Sequence, residues 1–377
     1  MRFHAFVILV IAAALAGCTM PASREGEARL VSTDHFVRVR STAPAMAGEE
    51  ASLYVREVVR GNAADGAARG VVLFVHGAGT PAEVSFDPAY RGHSWMTYMA
   101  DAGYDVFSMD MTGYGRSTRP RAMADPCNFP STSQAQFVPG RIAGPCAASH
   151  PGPMTTMGSD WNDLDAVVNH LRALRRVDQV SLVAWSQGGP RAGGYAALHP
   201  EKVKRLVVLA PAYSRDGALV APDPLPVGNG SMSSQSRADF IANWDRQVGC
   251  PNQYEPAAAA AIWSDMLASN PVGATWGAGV RRAPSVPTWG FNRAAVARIQ
   301  VPFLMVTGEH DKQVAPQRVH ELYEDVGSDQ KVLVDLACSS HNAMWEKNRA
   351  LLYSASLEWI RDGKVSGQGS GMLKMGD

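Results

Sequence analysis

The chain has 377 residues, 46% of them hydrophobic and 19% charged, with 35 Lys and Arg balancing 35 Asp and Glu. Such a composition supplies a large buried core, and the balanced charge offers no general field for a polyanion. Nucleic acid is therefore not an expected partner.

The chain opens on "MRFHAFVILVIAAALAGCTM", a basic start followed by an apolar run from Ala5 to Leu15 and then small residues. That is the layout of an export signal, and the run is short for a membrane span. Leu15, Ala16, Gly17 and Cys18 resemble a bacterial lipobox, which implies that Cys18 is lipid-modified and begins the mature protein. An ordinary cleaved signal is the alternative. The lipobox resemblance makes residues 1–17 a signal peptide and residues 18–33 a polar tether. It also implies an exported protein held at the bacterial cell envelope by an N-terminal lipid anchor, with membrane as a partner.

Beyond the tether, "HFVRVRS" and "ASLYVREV" alternate in period two and predict a leading antiparallel pair of strands. Six apolar runs then predict strands: "GVVLFVHG" (70–77), "YDVFSMD" (104–110), "QVSLVAW" (179–185), "VKRLVVLA" (203–210), "VPFLMVTG" (301–308) and "KVLVDLA" (331–337). Amphipathic segments alternate with them. "SDWNDLDAVVNHLRALR", for instance, opens on a serine N-cap and sets Trp161, Leu164, Val168 and Leu171 at helical spacing. The pattern predicts an α/β fold with a mostly parallel central sheet and helices on both faces.

Two stretches interrupt it. Residues 116–155 and 212–295 are rich in Pro, Gly, Ser and Met and carry no strand signal, while the second holds Trp244, Trp263, Trp276 and Trp289. Structureless loops of this length are uncommon in compact domains, so 212–295 is expected to be a cap or lid over the sheet. The core is then 34–211, with 116–155 as a loop insertion, together with 296–363. The tail 364–377 has linker composition and is expected to be disordered.

In an oxidising compartment the four remaining cysteines can pair. Cys127 and Cys146 close one loop-like insertion and are the favoured bridge. Cys250 and Cys338 could form a second, or Cys338 could be a buried free thiol.

"VSLVAWSQGGPRAGG" passes from a strand through a tight corner into a helix. Ala184-Trp185-Ser186-Gln187-Gly188 fits the G-x-S-x-G nucleophile elbow, with Ala in the first position. Small residues flank the serine because the turn brings strand end and helix start together. Here the chain resembles the α/β-hydrolase family over most of residues 50–365. The resemblance implies a Ser, acid, His order on successive loops. After the strand at 301–308, Asp311 stands where the family's G-x-x-D-x-x-V segment puts the acid, with Glu309 as competitor. After the strand at 331–337, His341 occupies the loop of the base. Ten histidines are present, and His341 alone falls there; His310 adjoins the acid, and His170, His199 and His320 lie in helical segments.

The resemblance further implies an oxyanion hole from the N–H of Gln187 and of Ala78, in the "VHGAGTP" loop, with Gly79 as the alternative second donor. Trp185, Gly79 and Trp345 are expected to meet substrate. Arg281 or Arg282 is a candidate for a substrate carboxylate. "MDMTGYGRST" (109–118) matches another family segment, and Asp110 with its glycines is expected to build a turn under the site. No metal or nucleotide motif appears, so no cofactor and no metal is expected. The expected function is a serine hydrolase cleaving an ester bond in a small molecule through an acyl-enzyme. Cofactor-free perhydrolase or haloperoxidase chemistry, and a catalytically silent envelope binding protein, are the alternatives.

Overall fold

The structure is a computed structural model and describes residues 29–61, 69–137, 140–218, 230–286 and 290–376. The expected signal peptide, Cys18, the tether as far as residue 28, and Trp289 lie outside the described residues. The strands are β1 (Leu30–Arg40), β2 (Glu50–Arg60), β3 (Val71–Val75), β4 (Asp105–Met109), β5 (Val180–Trp185), β6 (Val203–Leu209), β7 (Met232–Ser236), β8 (Val280–Pro284), β9 (Phe303–Gly308), β10 (Lys331–Leu336) and β11 (Gly371–Met375).

Nine of them form one sheet in the order β1-β2-β4-β3-β5-β6-β9-β10-β11. β1 and β2 are the antiparallel leader, β2 pairs antiparallel with β4, and all pairings from β4 to β11 are parallel. Each apolar run expected to be a strand is one. β3 shows why both faces are covered: Val72 and Phe74 enter one core, with Trp95, Met96 and Trp359. Val71, Leu73 and Val75 enter the other, with Leu164, Val168 and Tyr195. From β3 the chain steps to β4 on one side, then crosses back to β5 on the other. The winding of the sheet therefore reverses between β3 and β5, and the C-terminal ends of strands at such a point are the usual place for a ligand.

The helix Met157–Arg175 buries Leu164, Val167, Val168 and Leu171. Its N-cap is Thr156, not the expected serine; the Thr156 side chain accepts from Ser159 N–H and the Ser159 hydroxyl accepts from Thr156 N–H. Ser159 is thus the third helical residue of a reciprocal box.

Three expectations need correction. β1 already begins at Leu30, so residues 30–33 belong to the sheet and not to the tether. Residues 371–375 of the expected disordered tail form β11, the edge strand on β10. Gly363, at φ 67°, ends the preceding helix, buried Val365 pins the turn, and Leu373 and Met375 pack on the core at strand spacing. The linker composition belongs to the turn, and "MLKM" carries the strand. Within 212–295, β7 and β8 form a two-stranded antiparallel sheet of their own where no strand signal is visible, because "MSSQS" and "VRRAP" lack alternation.

The two insertions share a small core of their own, in which Met123, Phe129, Phe137 and Met154 meet Met232, Trp276 and Val280. Trp244 and Trp263 instead join the main core. Both disulfides are formed: Cys127–Cys146 with Cα atoms 5.3 Å apart, and Cys250–Cys338 at 5.7 Å. The second fastens the 212–295 segment to the end of β10.

Candidate active site

Ser186 follows β5 with φ 57°, a left-handed conformation rare for a residue with a side chain. The corner is crowded. A Cβ on Gly188 would collide with the Val75 carbonyl and come 3.2 Å from the Ala184 Cβ, and one on Gly77 would lie 2.9 Å from the Ser186 Cβ. This is why small residues stand two places before and after the serine, and why a glycine faces it from the β3 loop. Ser186 N–H donates to Leu209 C=O (2.9 Å), while its own carbonyl accepts from Gly189 and Ala212.

The β9 and β10 loops bring up two further groups. His341 Nδ1 lies 2.8 Å from Asp311 Oδ2, and His341 Nε2 lies 2.9 Å from Ser186 Oγ. A carboxylate only accepts, so Nδ1 carries the proton and Nε2 of the neutral ring accepts from the serine hydroxyl. The other Asp311 oxygen accepts from the N–H groups of Gln313 and Val314, both at 2.8 Å, which fixes the carboxylate. Glu309, the competitor, turns away: it accepts from Cys338 N–H (3.2 Å) and pairs with Lys374.

The β3 loop is held from below by Arg191, which is wholly buried and paired with equally buried Asp160 at 2.7 Å. Its guanidinium donates to the carbonyls of His76 (2.9 Å) and Gly77 (3.1 Å). His76 Nδ1 also donates to Gly77 C=O (2.7 Å), because Nε2 accepts from Met111 N–H (3.1 Å). Burial first, and the Arg191 charge second, push His76 well below the ordinary histidine range, so it stays neutral. In a trans peptide the N–H points opposite to the C=O. Fixing Gly77 C=O on Arg191 therefore aims Ala78 N–H to the other side. Neither Ala78 N–H nor Gln187 N–H has an acceptor among the described residues, and Ala78 is exposed.

In sequence, the profile of the family described as serine aminopeptidase, S33, matches residues 66–348. The chain belongs to the serine aminopeptidase S33 family. It is accordingly an α/β-hydrolase of the serine hydrolase and esterase kind. No curated protein matches it. Among solved structures, a thermophilic esterase from Thermogutta terrifontis, with malate bound, is 16% identical and superposes with a TM-score of 0.52, covering 87% of this chain and 98% of that one. A serine hydrolase from the polyaromatic hydrocarbon-degrading bacterium Cycloclasticus zankles is 14% identical, with a TM-score of 0.50 over 88% of this chain and 99% of that one. At these identities the likeness speaks for the fold.

In this S33 hydrolase two expected substrate contacts fall elsewhere. Trp185 and Trp345 are 5% and 1% exposed. Their indole N–H groups donate to His341 C=O (2.8 Å) and Ser85 C=O (3.1 Å). They brace the His341 loop from within the core, since a buried indole N–H must find an acceptor. Gly79, at φ 78°, remains in the β3 loop at the site, where a Cβ would fall inside the Arg281 guanidinium. Arg282 instead serves the insertion core, stacked 4.7 Å over Trp276 and bonded to Asn270. Asp110 builds the expected turn, accepting from Ala82 N–H (2.7 Å) and Arg116 N–H (2.9 Å), and burial raises its pKa to about 6.

Two positioning residues have no sequence motif. Glu346, fully buried, accepts from Ser340 N–H (2.7 Å), Trp244 Nε1–H (2.7 Å) and Gln253 Nε2–H (3.2 Å), tying the loop of His341 to the 212–295 segment. Gln247 of that segment accepts from Lys312 N–H (3.1 Å) and His341 N–H (3.4 Å), bridging the acid loop and the base loop. Apart from Ser340, the partners lie more than 60 residues away in sequence, so no local pattern announces them.

Proposed function

We propose that this chain cleaves a carboxylic ester in a small molecule through an acyl-enzyme, with Ser186 as nucleophile, His341 as base and Asp311 as its orienting acid. The supporting observation is the unbroken line from Asp311 Oδ2 through His341 to Ser186 Oγ, with contacts of 2.8 and 2.9 Å. His341 Nε2 takes the hydroxyl proton as Oγ attacks the ester carbonyl. The alkoxide that forms on the substrate is met by the N–H groups of Gln187 and Ala78. The imidazolium, stabilised by Asp311, returns the proton to the departing alcohol. Water then repeats the sequence on the acyl-enzyme and releases the acid.

An aminopeptidase would have to hold a substrate ammonium group. The side chain against Gly79 is a guanidinium, which repels one and favours the ester reading.

Labelling the folded protein with a fluorophosphonate, followed by mass spectrometry, tests the proposal. An adduct on Ser186, absent from Ser186→Ala, is expected together with turnover of p-nitrophenyl esters; a folded protein that takes no label and cleaves no ester overturns it. We propose also that Cys18 carries a lipid anchor, on the lipobox resemblance alone. Cys18→Ser should then leave the membrane fraction, and unchanged partitioning would defeat this.

A further inference from the structure

We infer that the ester carries a free carboxylate a few atoms from the scissile bond, and that Arg281 binds it; the inference rests on the hydrolase reading above.

Arg281 lies on β8, and its guanidinium covers the Cα of Gly79 on the β3 loop. Gly77 of the same loop touches Ser186, and two residues span at most about 7 Å. The guanidinium is thus held beside the expected oxyanion donor Ala78. Only its Nε–H is used, donating to Gln235 Oε1 (2.6 Å); among the described residues its terminal nitrogens have no acceptor and no ion pair.

It does not stand alone. Arg119 and Arg282 line the same narrow cleft, whose free volume of about 10 Å³ admits one water-sized group, and no Asp or Glu lines it. Arg119 faces the charge of Asp110 and donates to the carbonyls of Gly113 (2.7 Å), Gly115 (3.2 Å) and Ser269 (3.3 Å), so the fork left with free terminal donors is that of Arg281. Burial lowers Arg281 to about 10 and Arg282 to about 10, with the Arg119 charge adding to the effect on Arg282.

Desolvated cations without counter-charge are costly in a folded protein, and an anion that supplies the missing charge is bound by what it relieves. A planar fork with free donors suits a carboxylate. Carboxylates and small phosphates would both relieve the charge. The ester chemistry at Ser186 favours the carboxylate. Hydrolysis needs only water and releases an alcohol and a dicarboxylate when the carboxylate is on the acyl side, or a carboxylate and a hydroxy acid when it is on the alcohol side.

The test compares monomethyl succinate, glutarate and adipate with methyl butanoate, pentanoate and hexanoate, and 4-acetoxybutanoate with butyl acetate, following acid release. The second comparison places the carboxylate on the alcohol side. At least one acid-bearing ester should exceed its neutral counterpart tenfold or more in kcat/KM. Arg281→Gln should shrink that ratio about tenfold, and Arg281→Lys should restore part of it. A structural loss would lower both members of a pair and leave the ratio unchanged. No preference in the wild type, or a ratio unmoved in both variants, overturns the inference. Calorimetry of Ser186→Ala with glutarate, with and without Arg281→Gln, separates the two readings. If the wild type cleaves no ester, the hydrolase reading falls, and Arg281-dependent glutarate binding still decides whether the carboxylate site exists.

Discussion

Replacing Arg191 with Met probes stability and chemistry together. Arg191 and Asp160 are both fully buried and 2.7 Å apart, and Asp160 Oδ1 has no hydrogen-bond partner among the described residues. The guanidinium is therefore the main support of that charge. Removing one partner of a buried pair costs about 3–5 kcal/mol, a large share of the stability of a typical domain. The loss also depends on pH. Burial already pushes the Asp160 carboxyl above its ordinary 3.8, and loss of Arg191 raises it further. Between the unfolded and the folded value the folded protein holds a proton that the unfolded chain has lost. Each unit of rising pH in that window then removes about 1.4 kcal/mol of stability. Urea denaturation should show Arg191→Met nearer to wild type at pH 5 than at pH 8. The double variant Asp160→Leu, Arg191→Met carries no stranded charge and should regain at least about 2 kcal/mol. It should not regain activity, because Gly77 C=O keeps only its His76 bond and Ala78 N–H loses its aim. Removing one oxyanion donor costs about 10²–10³ in kcat, so a drop of at least about tenfold is expected for a misaimed one. A double variant as active as the wild type would refute the oxyanion role, and an equal loss of stability at both pH values would refute the stranded-charge argument.

Gly77→Ala puts a Cβ 2.9 Å from the Ser186 Cβ and 3.0 Å from Trp185 C=O; overpacking should cost about 1–3 kcal/mol, and ester turnover should fall more than tenfold. Breaking the Cys250–Cys338 bridge with paired serines frees a loop of 88 residues against 19 for Cys127–Cys146. Chain entropy alone sets these losses at about 4–5 and 3 kcal/mol. Thermal unfolding should rank them so, and only the first should lower turnover by loosening the His341 loop. Truncation after Gly369 removes β11 and leaves β10 as a bare edge; lower stability in urea and concentration-dependent light scattering are expected. A truncated chain as stable and as soluble as the full one would mean that β11 contributes nothing.

The candidate nucleophile was legible because its constraint is local. A corner that tolerates no extra Cβ at Gly77 or Gly188 writes itself as a run of small residues between a strand and a helix. Asp311 and His341 were legible by position, each on the loop after an apolar run. Arg191, Glu346 and Gln247 were not. Each reaches a carbonyl or N–H group over 60 residues away, and sequence spacing carries no trace of such partners. Trp185 and Trp345 misled for a related reason. Proximity to Ser186 and His341 along the chain says nothing about which way a large ring turns, and both turn into the core. The β7–β8 pair and β11 are short strands whose pairing, and not their own alternation, makes them strands.

The φ of 57° at Ser186 has a consequence for how the sequence can change over time. A side chain in that region costs about 1–2 kcal/mol that glycine does not pay. Ser186→Gly should therefore melt higher than the wild type while taking no fluorophosphonate label. Among drifting descendants freed from any demand for turnover, stability would favour glycine at this corner. On the proposed mechanism, a serine here is thus a local record of selection for chemistry over stability, legible at a single position.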